Sequence, residues 1–398
     1  MAITDKEKGV WGLDQTYNKI NQGSIWNYSS NIVELFVWGA NTYGLLGQNE
    51  QNAPGYSSPV QIPGTTWGDL ARGDSNQISC NVKTDNTLWV WGGNYRGQLG
   101  QNDSSYPGVS SPIQVTGTTW NMAAKGNQGM MATRTDGTLW SWGYCESGEV
   151  GSNQQTPTLS ISSPTQIPGT TWGTIAAGPL VRSSIKTDGT LWIWGTQSNG
   201  VLGQNETWTP SKRGRSSPVQ IPGTTWKNVS VGEYVILATK TDGSLWSWGR
   251  NNNGELGQNN VIYRSSPVQL GSDTSWAYAY AANEQSIATK TDGTLWVWGD
   301  GNQGQLGQND RVKRSSPTQI PGTTWDYSSA DKISTEYSIM MAVKTDNTLW
   351  VWGYQDNNGY LGLNQGGNYR YSSPVQIPGD YNAVALSGSV AAFAKKLK

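Results

Sequence analysis

No histidine occurs among the 398 residues, and the only cysteines are Cys80 and Cys145. Without an imidazole, the Ser-His-Asp and Cys-His nucleophile systems are excluded, and the commonest metal ligand is missing. Two cysteines supply neither a disulfide framework nor metal-ligand spacing. Carboxylates remain. A glycan-cleaving enzyme needs two acids roughly 5 to 9.5 Å apart, and Glu146, Glu149, Glu233, Glu284 and Glu336 are candidates. Nothing in their spacing singles out a pair, so the sequence predicts no catalytic centre, no cofactor and no metal site. The recurring Thr-Asp-Gly aspartates are isolated acids beside Lys or Arg, as turn chemistry demands. The glycine-rich run from Gly301 to Gly307 has no phosphate-loop lysine.

What remains is recognition chemistry. The stretch QNETWTPSKRGRSSPVQ, residues 204–220, places a tryptophan and three cations in a chain with 14% charged residues. Comparable segments further on add more cations. The predicted partner-binding set is Trp208, Lys212, Arg213, Arg215, Tyr263, Arg264, Arg311, Lys313, Arg314, Tyr369, Arg370 and Tyr371. Aromatic faces beside arginines suit a protein hot spot or a glycan. The net charge of −1 gives no global attraction to nucleic acid or membrane, and no folded nucleic-acid motif accompanies these cations.

The elements that must position them come from a repeat. A Leu-aromatic-x-Trp-Gly unit occurs at Leu35, Leu88, Leu139, Leu191, Leu245, Leu295 and Leu349. Ser-Ser-Pro recurs as often, with Pro59, Pro112, Pro164, Pro218, Pro267, Pro317 and Pro374. Each unit reads as four short strands, and the turn between the second and third carries Gly or Asn, which tolerate positive φ. Four-stranded units at this period predict an all-β, seven-bladed β-propeller. Its carboxy-terminal copy stops after two strands and its amino-terminal copy lacks them. Residues 33–63 and 381–395 therefore form one shared blade that closes the ring. Thirteen tryptophans fall in the Leu-aromatic-x-Trp-Gly units and six in Thr-Thr-Trp or Thr-Ser-Trp, all as predicted core; Trp11, Trp26 and Trp208 are left over. Connections of variable length, the longest around Trp208, fall on one face, which is how a recognition surface on a rigid scaffold is built. A longer connection after Trp325 is placed on that face as well.

The runs WGGNYRGQLGQN (91–102), WGRNNNGELGQN (248–259) and WGDGNQGQLGQN (298–309), with the Ser-Pro strand and the Asp-Gly turn, resemble the regulator of chromosome condensation repeat family. The resemblance covers residues 33–398 and implies the seven-bladed fold. The best-known member acts on a small GTPase through an inserted β-wedge and binds chromatin. No copy here carries such an insertion, and there is no basic tail. Family-like propellers also serve as inhibitors or adaptors.

Residues 8–30, with Trp11, Leu13, Tyr17, Ile20 and Trp26 as attachment candidates, resemble a segment of tailed-bacteriophage structural proteins. The expected division is an attachment or capping segment, 1–31, and a propeller, 32–398. The expected function is a non-catalytic display scaffold on a virion, contacting another virion protein or a host-surface protein or glycan. The alternatives are a soluble adaptor or inhibitor, located in the cytoplasm, and a glycan-binding or glycan-cleaving appendage. No run approaches a membrane span.

Overall fold

Each repeat is organised around a tight hairpin. At its tip Gly137, Gly189, Gly243 and Gly293 adopt φ of 76 to 81°, and Asn86 and Asn347 adopt 63°. The aspartate before them braces the turn: Asp292 Oδ1 accepts from the Thr294 amide at 3.0 Å and the Thr294 hydroxyl at 2.6 Å. That hydroxyl in turn accepts the indole N–H of Trp296 at 2.8 Å. The same trio recurs at Asp85, Asp136, Asp188, Asp242 and Asp346, with Ser244 in place of threonine once. These aspartates are turn residues.

The computed structural model describes residues 33–397, apart from 52–53, 74, 76, 105–107, 154–159, 207–213 and 389–390. Seven four-stranded antiparallel sheets are present, each running in order from its first strand to its fourth. In blade six these are Trp276–Ala281, Gln285–Lys290, Leu295–Gly299 and Arg314–Ile320. Blade one is shared, as the sequence predicts: Val33–Gly39 pairs with both Tyr56–Ile62 and Ala391–Leu397, and Ala383–Ser387 completes it. The fourth strand is an outer edge in every blade. A proline is tolerated there because the lost N–H faces no partner strand, and the register of each third-to-fourth pair shifts beside it, as between Val297 and Gly299.

Blades are fastened in two ways that repeat around the ring. The second tryptophan of each third strand is buried, and its indole N–H donates to a carbonyl of the preceding blade. Examples are Trp298 to Glu255 at 2.7 Å, Trp248 to Val201 at 2.8 Å and Trp38 to Tyr360 at 3.0 Å. The asparagine ending each Gly-x-Leu-Gly-x-Asn run lies in the left-handed region, and its amide donates to the carbonyl of the first serine of Ser-Ser-Pro in the next blade's fourth strand. Asn259 reaches Ser315 and Asn364 closes the ring onto Ser57, both at 2.7 Å. In five blades the asparagine Oδ1 also accepts a serine hydroxyl, as from Ser316 to Asn259 at 3.1 Å. The signature motif is thus an inter-blade clasp.

The first strands surround the axis. Gly73, Gly126, Gly178 and Gly232 stand in equivalent positions where each blade's first strand ends, and a Cβ on Gly178 or Gly232 would lie 2.4 or 2.2 Å from the neighbouring blade's backbone oxygen. The Gly73 amide of blade two donates across the axis to the Tyr280 hydroxyl oxygen of blade six at 3.3 Å. The constriction requires small residues, which accounts for Gly73 in the Arg-Gly-Asp sequence.

One expectation is corrected. The extra residues after Trp325 do not lengthen the variable face. Trp325 bridges Lys344, residues 326–332 leave the sheet, and the first strand resumes as Ile333–Glu336 before a short turn at Tyr337 and Ser338. The excursion packs at the opposite end of the channel, where Lys332 pairs with Asp326 at 3.1 Å and Asp331 approaches Lys395 at 4.0 Å.

Candidate functional site

On the variable face each third strand carries a Trp-Gly pair at or near its end, and the chain then passes through the clasp and returns through a connection to the fourth strand. Blade six shows the layout: Gly299 with φ of 102°, Asn309 clasped to Ser372 at 2.6 Å, then residues 310–313 before Arg314 re-enters the sheet. The clasp at the base holds the connection while its tip stays exposed.

The described cations of the predicted set are held in different ways. Arg215 is held by both oxygens of Glu206 at 2.9 Å, and Arg314 by Asp310 at 2.6 Å. Both are neutralised within their own connection. Arg264 is half-buried at the start of its strand. Lys313 bonds to Asn253 Oδ1 at 2.5 Å and lies 3.6 Å from Asp300. Arg370 donates to Gln303 and stacks on Tyr354 at 4.9 Å. Arg311 is exposed and forms no ion pair among the described residues. Tyr263 donates to Asn252 at 2.8 Å, Tyr371 to Gln365 at 2.5 Å, and Tyr369 lies 6.4 Å from Tyr371. Trp208, Lys212 and Arg213, and the attachment set Trp11, Leu13, Tyr17, Ile20 and Trp26, lie outside the described residues.

Counting charges missed the apolar component. Val261 and Ile262 of blade five are 58% and 56% exposed, Val312 of blade six is 54% exposed, and Tyr263 and Tyr369 are 40% and 44% exposed. Lys313 ties the blade-six connection to blade five, and Arg370 ties blade seven to blade six. These residues therefore occupy adjoining connections on three consecutive blades. The sequence carries them as Val-Ile-Tyr (261–263) and Arg-Val-Lys (311–313), where nothing marks the aliphatic residues as exposed.

The carboxylate candidates have local tasks. Glu149 Oε2 accepts the Ser147 amide at 2.9 Å and Glu255 Oε2 the Asn253 amide at 2.8 Å, at equivalent loop positions. Burial pushes both carboxyls above their ordinary range. Glu146 accepts the Tyr144 hydroxyl at 2.5 Å, Glu284 lies 3.6 Å from Arg250, and Glu336 is buried. Cys80 and Cys145 are both buried thiols; burial pushes the Cys145 thiol up, and that of Cys80 up to about 12. Among the described residues no group of three or more metal-ligating side chains occurs, and no helix is long and apolar enough to cross a membrane.

At the rim, a cation lies between two indoles in six blades. Lys290, for example, sits 4.6 Å from Trp276 and 4.0 Å from Trp296. The first tryptophan of each third strand is thus half-buried as the outer wall of a cation sandwich, while the second is fully enclosed. In blade one Phe36 and Tyr381, 5.9 Å apart, replace the indoles.

Comparison with known proteins accords with this architecture. Models described as "Regulator of chromosome condensation (RCC1) repeat" match residues 242–288 and 292–325, and 226–255. The Ultraviolet-B receptor UVR8 of Arabidopsis thaliana is 29% identical over 248 residues, covering 61% of this chain and 55% of that protein. The RCC1 domain-containing protein RUG3, mitochondrial, of the same plant is 27% identical, covering 60% and 59%. Human Protein RCC2 is 24% identical, covering 56% and 50%. The chain thus spans about half to three-fifths of the length of these relatives. Among solved structures, human WBSCR16 superposes with a TM-score of 0.77 at 19% identity over 92% of this chain and all of that one. Prp20p of Saccharomyces cerevisiae, whose structure was described with its binding properties to Gsp1p and histones, gives 0.78 at 17% identity over 92% of each chain. Architecture and sequence match together describe a seven-bladed propeller that is similar to regulator of chromosome condensation (RCC1) repeat proteins and matches that repeat within residues 226–325.

Proposed function

We propose that the protein is a non-catalytic interaction module that binds a protein partner through the variable face of blades five to seven. The observation that carries this is the run of exposed apolar side chains Val261, Ile262 and Val312 next to Arg311 and Lys313. Solvent-exposed aliphatics gathered on adjoining connections, with cations at their edge, suit a partner surface that is apolar at its centre and acidic at its rim. The relatives named above support an interaction module over the virion and glycan readings, and the Gsp1p and histone binding of Prp20p is an example of a propeller of this architecture engaging proteins.

The test is quantitative affinity capture with the wild type, a V261S/I262S/V312S variant, an R311E variant and a K227E control on the other face. Substitutions at such exposed sites change stability by about 0.5 kcal/mol or less. Specific partners should fall about tenfold or more with the first two variants and stay level with the control. Equal recovery with all four baits would reject this face.

A further inference from the structure

Arginine 182 breaks the repeat. It is the second residue of the second strand of blade four, Val181–Lys186, and pairs with Trp194, in the layer packed between blades. The residues opposite the equivalent tryptophans are Ser79, Met130, Ile236, Ser286, Met340 and Ala392. Six of seven copies thus place a small or apolar side chain where this one places a guanidinium that is 2% exposed. A buried cation is costly unless it is paired, and Arg182 forms no ion pair among the described residues. One of its amino groups donates to the carbonyls of Gly178 and Val181, whereas its Nε has no partner within the protein. Desolvation lowers its pKa to about 10, with Glu149 and Cys145 opposing that shift.

Its surroundings are shaped around it. A Cβ on Gly126 would meet both terminal nitrogens of Arg182 at 2.4 Å, and one on Gly129 would meet Nη2 at 3.3 Å. Gly129 stands where the other blades have Ile78, Val181, Val235, Gln285, Ile339 and Ala391, each paired with the glycine of the third strand's Trp-Gly pair. A cavity of about 320 Å³ opens there on the variable face, lined by Arg96, Asn127, Gln128, Tyr144, Glu149 and Arg182, among others. Arg96, from blade two, stacks on Tyr144 at 4.7 Å. Its Nε and Asn127 Oδ1 are also buried without a partner. The lining holds two guanidiniums and one carboxylate, and Glu146 accepts from the lining Tyr144. Three residues of the lining, Arg96, Arg182 and Asn127, thus each carry a buried polar atom without a partner within the protein.

We propose that this cavity is a binding site for a carboxylate borne on a molecule that also carries an N–H or O–H donor. The carboxylate accepts from Arg182 and Arg96, and the donor satisfies Asn127. Charge-assisted bonds of this kind are the strong ones, and the enclosed setting favours them further. The carboxylate source is either a free hydroxy acid or a glutamyl side chain of a protein partner. This site is separate from the face of blades five to seven and does not depend on it.

Calorimetric titration of the full chain with lactate and with N-acetylglutamate amide distinguishes the two sources. At least one probe should bind saturably at one site with a Kd of about 1 mM or tighter, and the one that binds identifies the source. Arg182→Met restores the residue used at Met130 and Met340; it should abolish binding while keeping or raising the thermal midpoint, because an unpaired buried charge is replaced by a side chain the repeat already accommodates. Arg96→Gln, at the half-buried mouth, should weaken binding about tenfold. Absence of binding by both probes, or binding that survives either substitution unchanged, overturns the proposal. Unfolding of Arg182→Met while Arg96→Gln binds normally would show that Arg182 is structural, and would also overturn it.

Discussion

The cation held between two indoles is the unit from which the rim is built, and Lys290 is its most tightly paired example. Besides Trp276 and Trp296 it contacts Asp273 Oδ2 at 2.6 Å. Burial would raise the Asp273 pKa, but hydrogen bonds from Lys290 and Ser275 outweigh it and hold the carboxyl at about 2 instead of 3.8. A carboxylate depressed in the folded state contributes stability above its unfolded pKa, and the contribution disappears as pH falls through the folded value. With the carboxylate side chain 39% exposed, solvent screening reduces this to about 1 kcal/mol. Asp273→Asn should therefore destabilise the protein by about that amount at pH 7, and the difference from wild type should shrink between pH 4 and pH 2. Denaturant titrations at several pH values would measure it; a gap that does not vary with pH would refute the assignment. The same direction holds for the turn aspartates, each lowered first by the hydrogen bond from its threonine or serine, or in Asp85 and Asp292 likewise by Thr87 and Thr294 against a small burial penalty.

Among the elements, the clasp carries the clearest expectation. Asn259 has φ of 56°, its amide reaches Ser315, and its side chain accepts from Ser316. Asparagine visits this conformation readily, whereas a β-branched residue there costs roughly 1 to 2 kcal/mol in backbone strain alone. Asn259→Val should destabilise by about 2 to 3 kcal/mol once the lost serine bond is added, and Asn259→Gly by about 1 kcal/mol or less. Thermal unfolding of the pair would check the order, and a valine variant as stable as the glycine one would contradict it. The motif was legible in the sequence as a period, because identical turn residues recur at fixed spacing. Its purpose was not, since a period reveals the unit but not which neighbouring strand a loop touches. The excursion after Trp325 was misplaced for a related reason: length counting finds extra residues but cannot tell on which side of the resumed strand they fall, and Ile333–Glu336 decides that through its pairing with Ile339–Val343.

For the whole molecule, ring closure follows from complementary deficits at the two ends. Val33–Gly39 has Ala391–Leu397 as one of its two partners, so truncation after Ser387 should remove the second strand of blade one, leave Ala383–Ser387 unpaired and open the ring. Loss of a single cooperative unfolding transition would be the readout; an unchanged transition would show that closure does not depend on this strand. The seven blades, the shared one included, and the division into a uniform and a variable face could be read from the chain. The apolar patch and the Arg182 cavity could not. Val261, Ile262 and Val312 look like core residues until the structure shows them exposed, and Arg182 looks like a surface charge until its strand position places it between blades. Neutralisation of Arg215 and Arg314 by Glu206 and Asp310 likewise needed geometry. Binding therefore concentrates, in this account, on blades five to seven. Hydrogen–deuterium exchange of a captured complex against the free protein tests that most directly. The account predicts slowed exchange at amides of residues 260–264 and 310–314, with the Asp-Gly turns of the opposite face unchanged. Protection confined to those turns, with residues 260–264 and 310–314 exchanging as in the free protein, would contradict it.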